Sequence, residues 1–281
     1  MQWGIVIIPL SLLLPAIPVA PAHTGFRAVK PVPVNKNAVF SYYYREDGKL
    51  IDSIPDTVSH TYVIRTSRTN TEFYDQCELD KTCLTEQGEG PIEIRSISNK
   101  EAKQTYNRLK NKDINNALVE HYLVEILSKS TLRQMRNKIQ DNGKGGSNMI
   151  NNREYGGFIY RGQNSDSITL SIGPPSSPLS SAAVSLKLDS TKPVLAEYHS
   201  HPSGDTSLPL SLVTQTGLVI NNGLPARDDE RTYHYMQGPT RTDKQNLKAP
   251  IGYVFAMRKG KIIIYDNTGI IAALPIGFLD K

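Results

Sequence analysis

Cysteine is nearly absent, with two in 281 residues. That excludes a disulfide-built scaffold and a thiolate zinc finger, so any metal centre has to be made from histidines and carboxylates. Tryptophan occurs once and phenylalanine six times, against 14 tyrosines. That balance suits half-buried sheet positions better than a nucleic-acid stacking platform. Lys and Arg exceed Asp and Glu by 32 to 27, but no tract of one sign is longer than a few residues, and no nucleic-acid partner is expected. There is no internal repeat, no dinucleotide glycine fingerprint and no P-loop, which removes nucleotide-dependent chemistry as a first reading. The 20 Gly and 18 Pro follow no period, so collagen-like architecture is excluded as well. What is present, 38% hydrophobic and 21% charged residues, is the composition of a folded globular chain.

The one long apolar run is Gly4 to Ala20, GIVIIPLSLLLPAIPVA, closed by the small-x-small pattern Ala20-Pro21-Ala22. Residues 1–22 read as a signal peptide, and export to a periplasm or to the outside is expected. Pro9, Pro15 and Pro18 oppose a permanent spanning helix. No Lys or Arg precedes the run, a departure from the usual positive leader. In an oxidising compartment Cys77 and Cys83, which flank the polar stretch ELDKT, can close a small hairpin disulfide or remain two thiols.

Residues 23–97 read as a β-rich N-terminal region, with strand-like pieces at Ser41 to Tyr44 and His60 to Thr66. Residues 98–146 read as a helical segment packing on the C-terminal domain. Ser98 to Glu101 is a capping box, Ile114, Leu118, Tyr122 and Ile126 fall on one helical face, and Leu132, Met135 and Ile139 repeat the spacing. The run Asn142-Gly143-Lys144-Gly145-Gly146 ends it. From 147 to 281 the pattern returns to strands: YGGFIYR, SITLSI, AAVSLKL, VLAEYHSH, GYVFAMR and KIIIYD, the last two around a turn at Lys259-Gly260. The fold class expected is α+β.

The chemistry-bearing segment is Ala196 to Asp205, AEYHSHPSGD, which holds a third of the six histidines. On a strand, residues two apart share a face, so His199 and His201 aim both imidazoles at one point before Pro202 turns the chain away. Two aligned imidazoles form a metal pincer, and with cysteine scarce the third ligand should be a carboxylate. Asp205, Asp243 and the cluster Asp228-Asp229-Glu230 are the candidates. Glu197 shares the strand face of the two histidines, as an outer hydrogen-bond acceptor or a substitute base. His60 reads as strand surface and His121 as part of a helix face. His234 lies where it could reach the site.

At these residues the chain resembles the JAMM/MPN (JAB-like) zinc metallopeptidase superfamily, whose signature is a Glu on an early strand, then His-x-His-Pro, then Ser-x-x-Asp. Arg153-Glu154-Tyr155-Gly156-Gly157-Phe158-Ile159 looks like the early strand, and His199-Ser200-His201-Pro202 fits the core motif unchanged. EYGG followed by HSHP is similar to the JAB-like domain at the C-termini of Rhs-type polymorphic toxins, while HPSGD is also similar to the RadC-like branch. In the compact spacing Thr214 would take the acid's place and fails as a ligand. Thr240-Arg241-Thr242-Asp243 keeps the family's order if 206–239 is an insertion.

The resemblance implies a JAB/MPN-like mixed sheet with flanking helices. It implies Zn²⁺ on His199, His201 and Asp243, with Glu154 as general base and Thr240 at the oxyanion. The expected function is an exported zinc-dependent peptidase or isopeptidase. Its substrate would be a peptide, an isopeptide or peptidoglycan, and toxin kinship would add a carrier or a cognate immunity protein as partner. A non-catalytic JAB-like binding module and a RadC-like DNA-associated protein are the alternatives.

Overall fold

Runs of β-branched and aromatic residues form most of the regular structure, and their burial on both faces places them at the centre of a sheet. The computed structural model describes residues 38–65, 84–86, 98–162, 167–176, 186–209, 218–220 and 230–280. In chain order the strands and helices are β1 (Val39–Tyr44), β2 (Leu50–Asp56), β3 (Thr61–Ile64), β4 (Leu84–Glu86), α1 (Asn99–Lys110), α2 (Ala117–Tyr122), β5 (Leu123–Ile126) and α3 (Lys129–Arg136). There follow β6 (Gly156–Arg161), β7 (Ile168–Leu170), β8 (Val194–His201), β9 (Asp205–Pro209), β10 (Leu218–Ile220), β11 (Glu230–His234), α4 (Arg241–Asn246), β12 (Gly252–Ala256), β13 (Lys261–Asp266) and β14 (Gly269–Pro275). The chain closes with a 3₁₀ turn at Ile276–Leu279. The architecture is α+β, with two mixed sheets. The signal-peptide reading of residues 1–22 and the pair Cys77 and Cys83 lie outside the described residues. Among the described residues no helix is long and apolar enough to cross a membrane.

The larger sheet has six strands in the order β14-β13-β12-β8-β6-β7. Only β8 and β12 run parallel, and their neighbours are antiparallel. Alternation along these strands sends Ala196, Tyr198, Tyr253, Phe255, Ile262 and Ile264 to one face, into a core shared with Leu132, Met135 and Ile139. Val254, Ala256, Ile263 and Tyr265 go to the other, under Leu247. Glu197, His199 and His201 lie on that second face.

The smaller sheet has the order β2-β1-β3-β5. Here the structure differs from the expected helical face through Tyr122 and Ile126. Helix α2 stops at Tyr122, and Leu123–Ile126 is a strand antiparallel to Thr61–Ile64. The β-branched stretch meets the free backbone of β3, and a full ladder outweighs a helical period carried by one residue per turn. Ser98 forms the expected capping box with Glu101. Of the AAVSLKL stretch, residues 186–188 carry no strand. Two cross-links hold α3 and its approach: Leu127 N–H donates to Tyr253 Oη of the large sheet at 2.9 Å, and Arg133 Nε donates to Leu279 O of the closing 3₁₀ turn.

Candidate metal centre

The two histidines come from the last three residues of β8, where the period of two puts both rings on the face away from Tyr198 and Ser200. Their Nε2 atoms are 3.1 Å apart. Asp243 is delivered by α4, whose N-cap is Thr240. The Thr240 hydroxyl accepts from Asp243 N–H at 3.0 Å, and Asp243 Oδ2 accepts from Thr240 N–H at 2.7 Å. This capping box fixes the carboxylate so that Oδ1 is 3.2 Å from His199 Nε2 and Oδ2 is 3.6 Å from His201 Nε2.

One ligand atom from each of His199, His201 and Asp243 lies within 4.8 Å of the others, and this buried group could hold a metal ion. Nitrogen and oxygen ligands about 2.0 Å from a tetrahedral centre stand about 3.3 Å from one another; the histidine pair at 3.1 Å and His199 with Asp243 Oδ1 at 3.2 Å match that spacing, while His201 meets the other carboxylate oxygen, Oδ2, at 3.6 Å. One feature is unlike a usual imidazole ligand: His201 Nδ1 is buried with no hydrogen-bond partner.

Glu154 stands just before β6 rather than on it. Gly156 is paired with His199, and Ser200 N–H donates to Tyr155 O at 2.7 Å. Extending that antiparallel register by one residue sets Glu154 opposite His201, so both side chains point to the same face. The result is a carboxylate 3.9 Å from His201 Nε2. It is only 7% exposed, against 4% for each histidine, and it stands outside the three-ligand group. Ser176 and Ser200 hold the approach: Ser176 Oγ accepts from Glu154 N–H at 2.9 Å and Ser200 Oγ from Tyr155 N–H at 3.0 Å. Gly157 is required because a β-carbon there would stand 1.9 Å from Ser171 O.

The electrostatics follow from burial and proximity. Burial pulls the His199 pKa down, but the charge and hydrogen bond of Asp243 outweigh it and push it up to about 9. His201 moves up for the same reasons, against the opposing charge of His199. Burial raises Asp243, and the two imidazoles overcome it, holding the carboxyl well below its usual range. Glu197 sits beside the pair, raised chiefly by burial. Its Oε2 accepts Lys248 N–H at 3.2 Å, which anchors the chain leaving α4.

Asp205 is not in the three-ligand group, and its Oδ1 lies 2.5 Å from Arg258 Nη1. Asp228 and Asp229 fall outside the described residues. His60 Nδ1 contacts Glu125 at 2.7 Å, far along the chain from the site and on the smaller sheet.

Sequence reasoning missed the support beneath the histidine turn. Asp141, fully buried, accepts from Ser203 N–H at 2.7 Å, Ser203 Oγ at 2.6 Å and Gly143 N–H at 2.7 Å. Gly204 N–H donates to Asn151 O at 2.7 Å, Asp205 N–H to Gly146 O at 3.0 Å, and Gln237 Nε2 to Pro202 O at 2.8 Å. The glycine run expected to end the helical section is therefore a brace for residues 202–205. Its left-handed turns at Gly143 (φ +76°), Gly145 (+70°) and Gly146 (+79°) let it fold back onto the site. The signal available was Asp141-Asn142-Gly143, a turn sequence five residues beyond the end of α3. No protein-family model, curated protein or solved structure matches the chain.

Proposed function

We propose that the chain is a zinc-dependent hydrolase of peptide or isopeptide bonds, of the JAMM type, with a JAB-like fold in its C-terminal part. The observation that carries the reading is the convergence of one ligand atom each from His199, His201 and Asp243 within 4.8 Å, with a fourth, separate acid, Glu154, beside His201. Two imidazoles and one carboxylate leave the open position that distinguishes a catalytic zinc site from a closed structural one. When bound, zinc supplies Lewis acidity, making water acidic enough to lose a proton near neutral pH and polarising a carbonyl.

The chain's own residues then divide the work. His199 and His201 offer ring nitrogens from one strand face, and Asp243 closes the triangle from a separate helix, so the site forms only when β8 and α4 are docked. Glu154 takes a proton from the attacking water and returns it to the leaving amine nitrogen. Thr240 orients Asp243 through its cap, and its hydroxyl proton is the group proposed to meet the oxyanion. Glu197 steadies the exit from α4. Residues 1–22 as an export signal would place the substrate outside the cytoplasm, where peptidoglycan stem peptides and cross-links are the amides at hand. A toxin role, with a carrier and an immunity protein, belongs to the same proposal.

The test has two parts. Metal analysis of purified protein should find about one zinc per chain, lost in His199→Ala and in His201→Ala. Incubation with peptidoglycan fragments and with isopeptide substrates should give cleavage that a chelator abolishes. Glu154→Gln should keep the zinc and lose about a hundredfold or more in rate. Wild-type protein without zinc refutes the enzyme and leaves a binding module. Full activity in Glu154→Gln moves the base elsewhere.

A further inference from the structure

Gln237 is fully buried, and both ends of its amide are bonded. Nε2 donates to Pro202 O at 2.8 Å and to Tyr235 O at 3.2 Å, while Oε1 accepts from Arg258 N–H at 2.9 Å. Glutamine carries two N–H donors and an oxygen acceptor on one planar group. Two carbonyls on one side and an N–H on the other also fix which way that group is turned.

These partners belong to three separate segments around the metal centre. Pro202 directly follows His201. Tyr235 is the residue after β11, whose last residue, His234, is paired with Asp205. Arg258 lies two residues beyond β12, whose Ala256 is paired with His201, and Met257 N–H donates to His201 O at 3.3 Å. From Gln237 the chain continues through Gly238 and Pro239, both buried, to Thr240, the N-cap that presents Asp243. One side chain therefore joins the strand that carries two ligands to the approach of the helix that carries the third.

That placement bears on the ligands themselves. His199 and His201 are set relative to each other by a single strand, whereas the 3.2 and 3.6 Å separations from Asp243 depend on how α4 docks. Glu197 holds the exit of the helix at Lys248. Gln237 holds its entrance, and Asp243 is in the first turn. A coordinating group has to be kept within about 0.5 Å of its productive place by supporting bonds of this kind.

We propose that Gln237 is a positioning residue of the metal centre, whose amide sets the docking of the Asp243 arm against the histidine strand. The inference rests on the zinc reading above. Partners beyond the coordinating atoms that orient ligands change metal affinity by about 10- to 100-fold, and Gln237, acting through the backbone, falls at the lower end.

The experiment compares Gln237→Met and Gln237→Glu in the full chain, with Tyr253→Phe as the control. Methionine keeps the volume and removes all three bonds, whereas glutamate keeps an acceptor and turns an oxygen toward two carbonyls. Tyr253→Phe removes one bond, from Leu127, on the face of the sheet away from the histidines. Affinities for Zn²⁺ and for Co²⁺ are measured by competition against a chromophoric chelator, with the cobalt absorption spectrum and the metal-free melting temperature recorded alongside. Both Gln237 variants should lose about tenfold in affinity for each ion and alter the cobalt spectrum. The control should change affinity by less than about twofold and keep the spectrum, although its melting temperature also falls. Wild-type affinity and spectrum in the folded Gln237 variants would overturn the proposal while leaving the zinc reading intact. Equal losses in the control would overturn it too, by tracing the effect to general stability. If neither Gln237 variant folds, the residue serves the fold and not the site, which is a third refutation. Wild-type protein that binds neither ion defeats the zinc reading itself, and that outcome is visible before any variant is made.

Discussion

Removing the carboxylate of Asp141 should unfold the brace that holds the histidine turn. Asp141 is fully buried and has three donors: the N–H and hydroxyl of Ser203, itself fully buried, and the N–H of Gly143. In Asp141→Ala the two Ser203 groups lose their acceptor where water does not reach, at about 1–3 kcal/mol for each buried donor left unmade. Gly143 is half-buried and regains a water, so it adds little. The Ser203 hydroxyl can rotate in search of another acceptor, whereas its N–H cannot. The total expected is about 3 kcal/mol, which for a unit of this size lowers the melting temperature by about 6–12 °C.

Asp141→Asn sharpens the test. With its oxygen at the Oδ2 position the amide still accepts the Ser203 N–H, and only the half-buried Gly143 N–H faces its NH₂, so the isosteric change should cost clearly less than Asp141→Ala. Thermal melts and urea titrations of metal-free protein give both numbers, and zinc affinity should fall with them because His201 immediately precedes the braced turn. An Asp141→Ala melting temperature within about 1 °C of wild type would show that the brace contributes no stability and refute the reasoning.

Gly204→Ala should destabilise by about 2 kcal/mol or more, since its β-carbon would meet Asn152 Oδ1 at 1.9 Å and Asn151 O at 2.6 Å; a urea midpoint equal to wild type would mean that residues 151 and 152 simply move aside. Tyr253→Phe strips the acceptor from the Leu127 N–H and should cost about 1–2 kcal/mol, with faster hydrogen exchange at Leu127 as the local readout. The His199 pKa lies above its unfolded value, at about 9 in the metal-free protein. Its contribution to metal-free stability is therefore complete below about pH 6.5 and lost as pH rises through about 9, which denaturant midpoints across that window will check. Zinc affinity should move the opposite way, rising with pH by up to about tenfold per unit for each proton the ion displaces.

The legible parts of the site are those encoded by local period. His199 and His201 converge because a strand alternates, and that is readable from HSH followed by proline. Thr240 and Asp243 are readable as a capping pair, but their arrival at the histidines depends on where α4 packs, some forty residues further along. Spacing alone left Asp205 equally eligible, and its ion pair with Arg258 is a contact between β9 and the end of β12 that no local pattern announces. The same limit explains β5, whose residues satisfied a helical stripe until the free edge of β3 became available. It explains Asp141 as well, a polar residue in a turn-forming stretch whose partner lies 62 residues away.

Glycines carried more of this long-range information than their usual reading allows. Gly157, Gly204 and Gly252 each stand where a β-carbon would strike a specific distant atom, so each records a packing contact that the surrounding residues do not. A glycine inside an otherwise apolar or β-branched strand disfavours that strand and is kept for close approach. Gly252, at the start of GYVFA, marks the place where the ring of Tyr265 crosses over β12 in the row of Glu197. Substituting Gly252 with alanine should therefore displace that ring and cost about 2 kcal/mol or more in stability, read as a lowered urea midpoint, an effect that a purely local account of the strand does not predict and that an unchanged midpoint would refute.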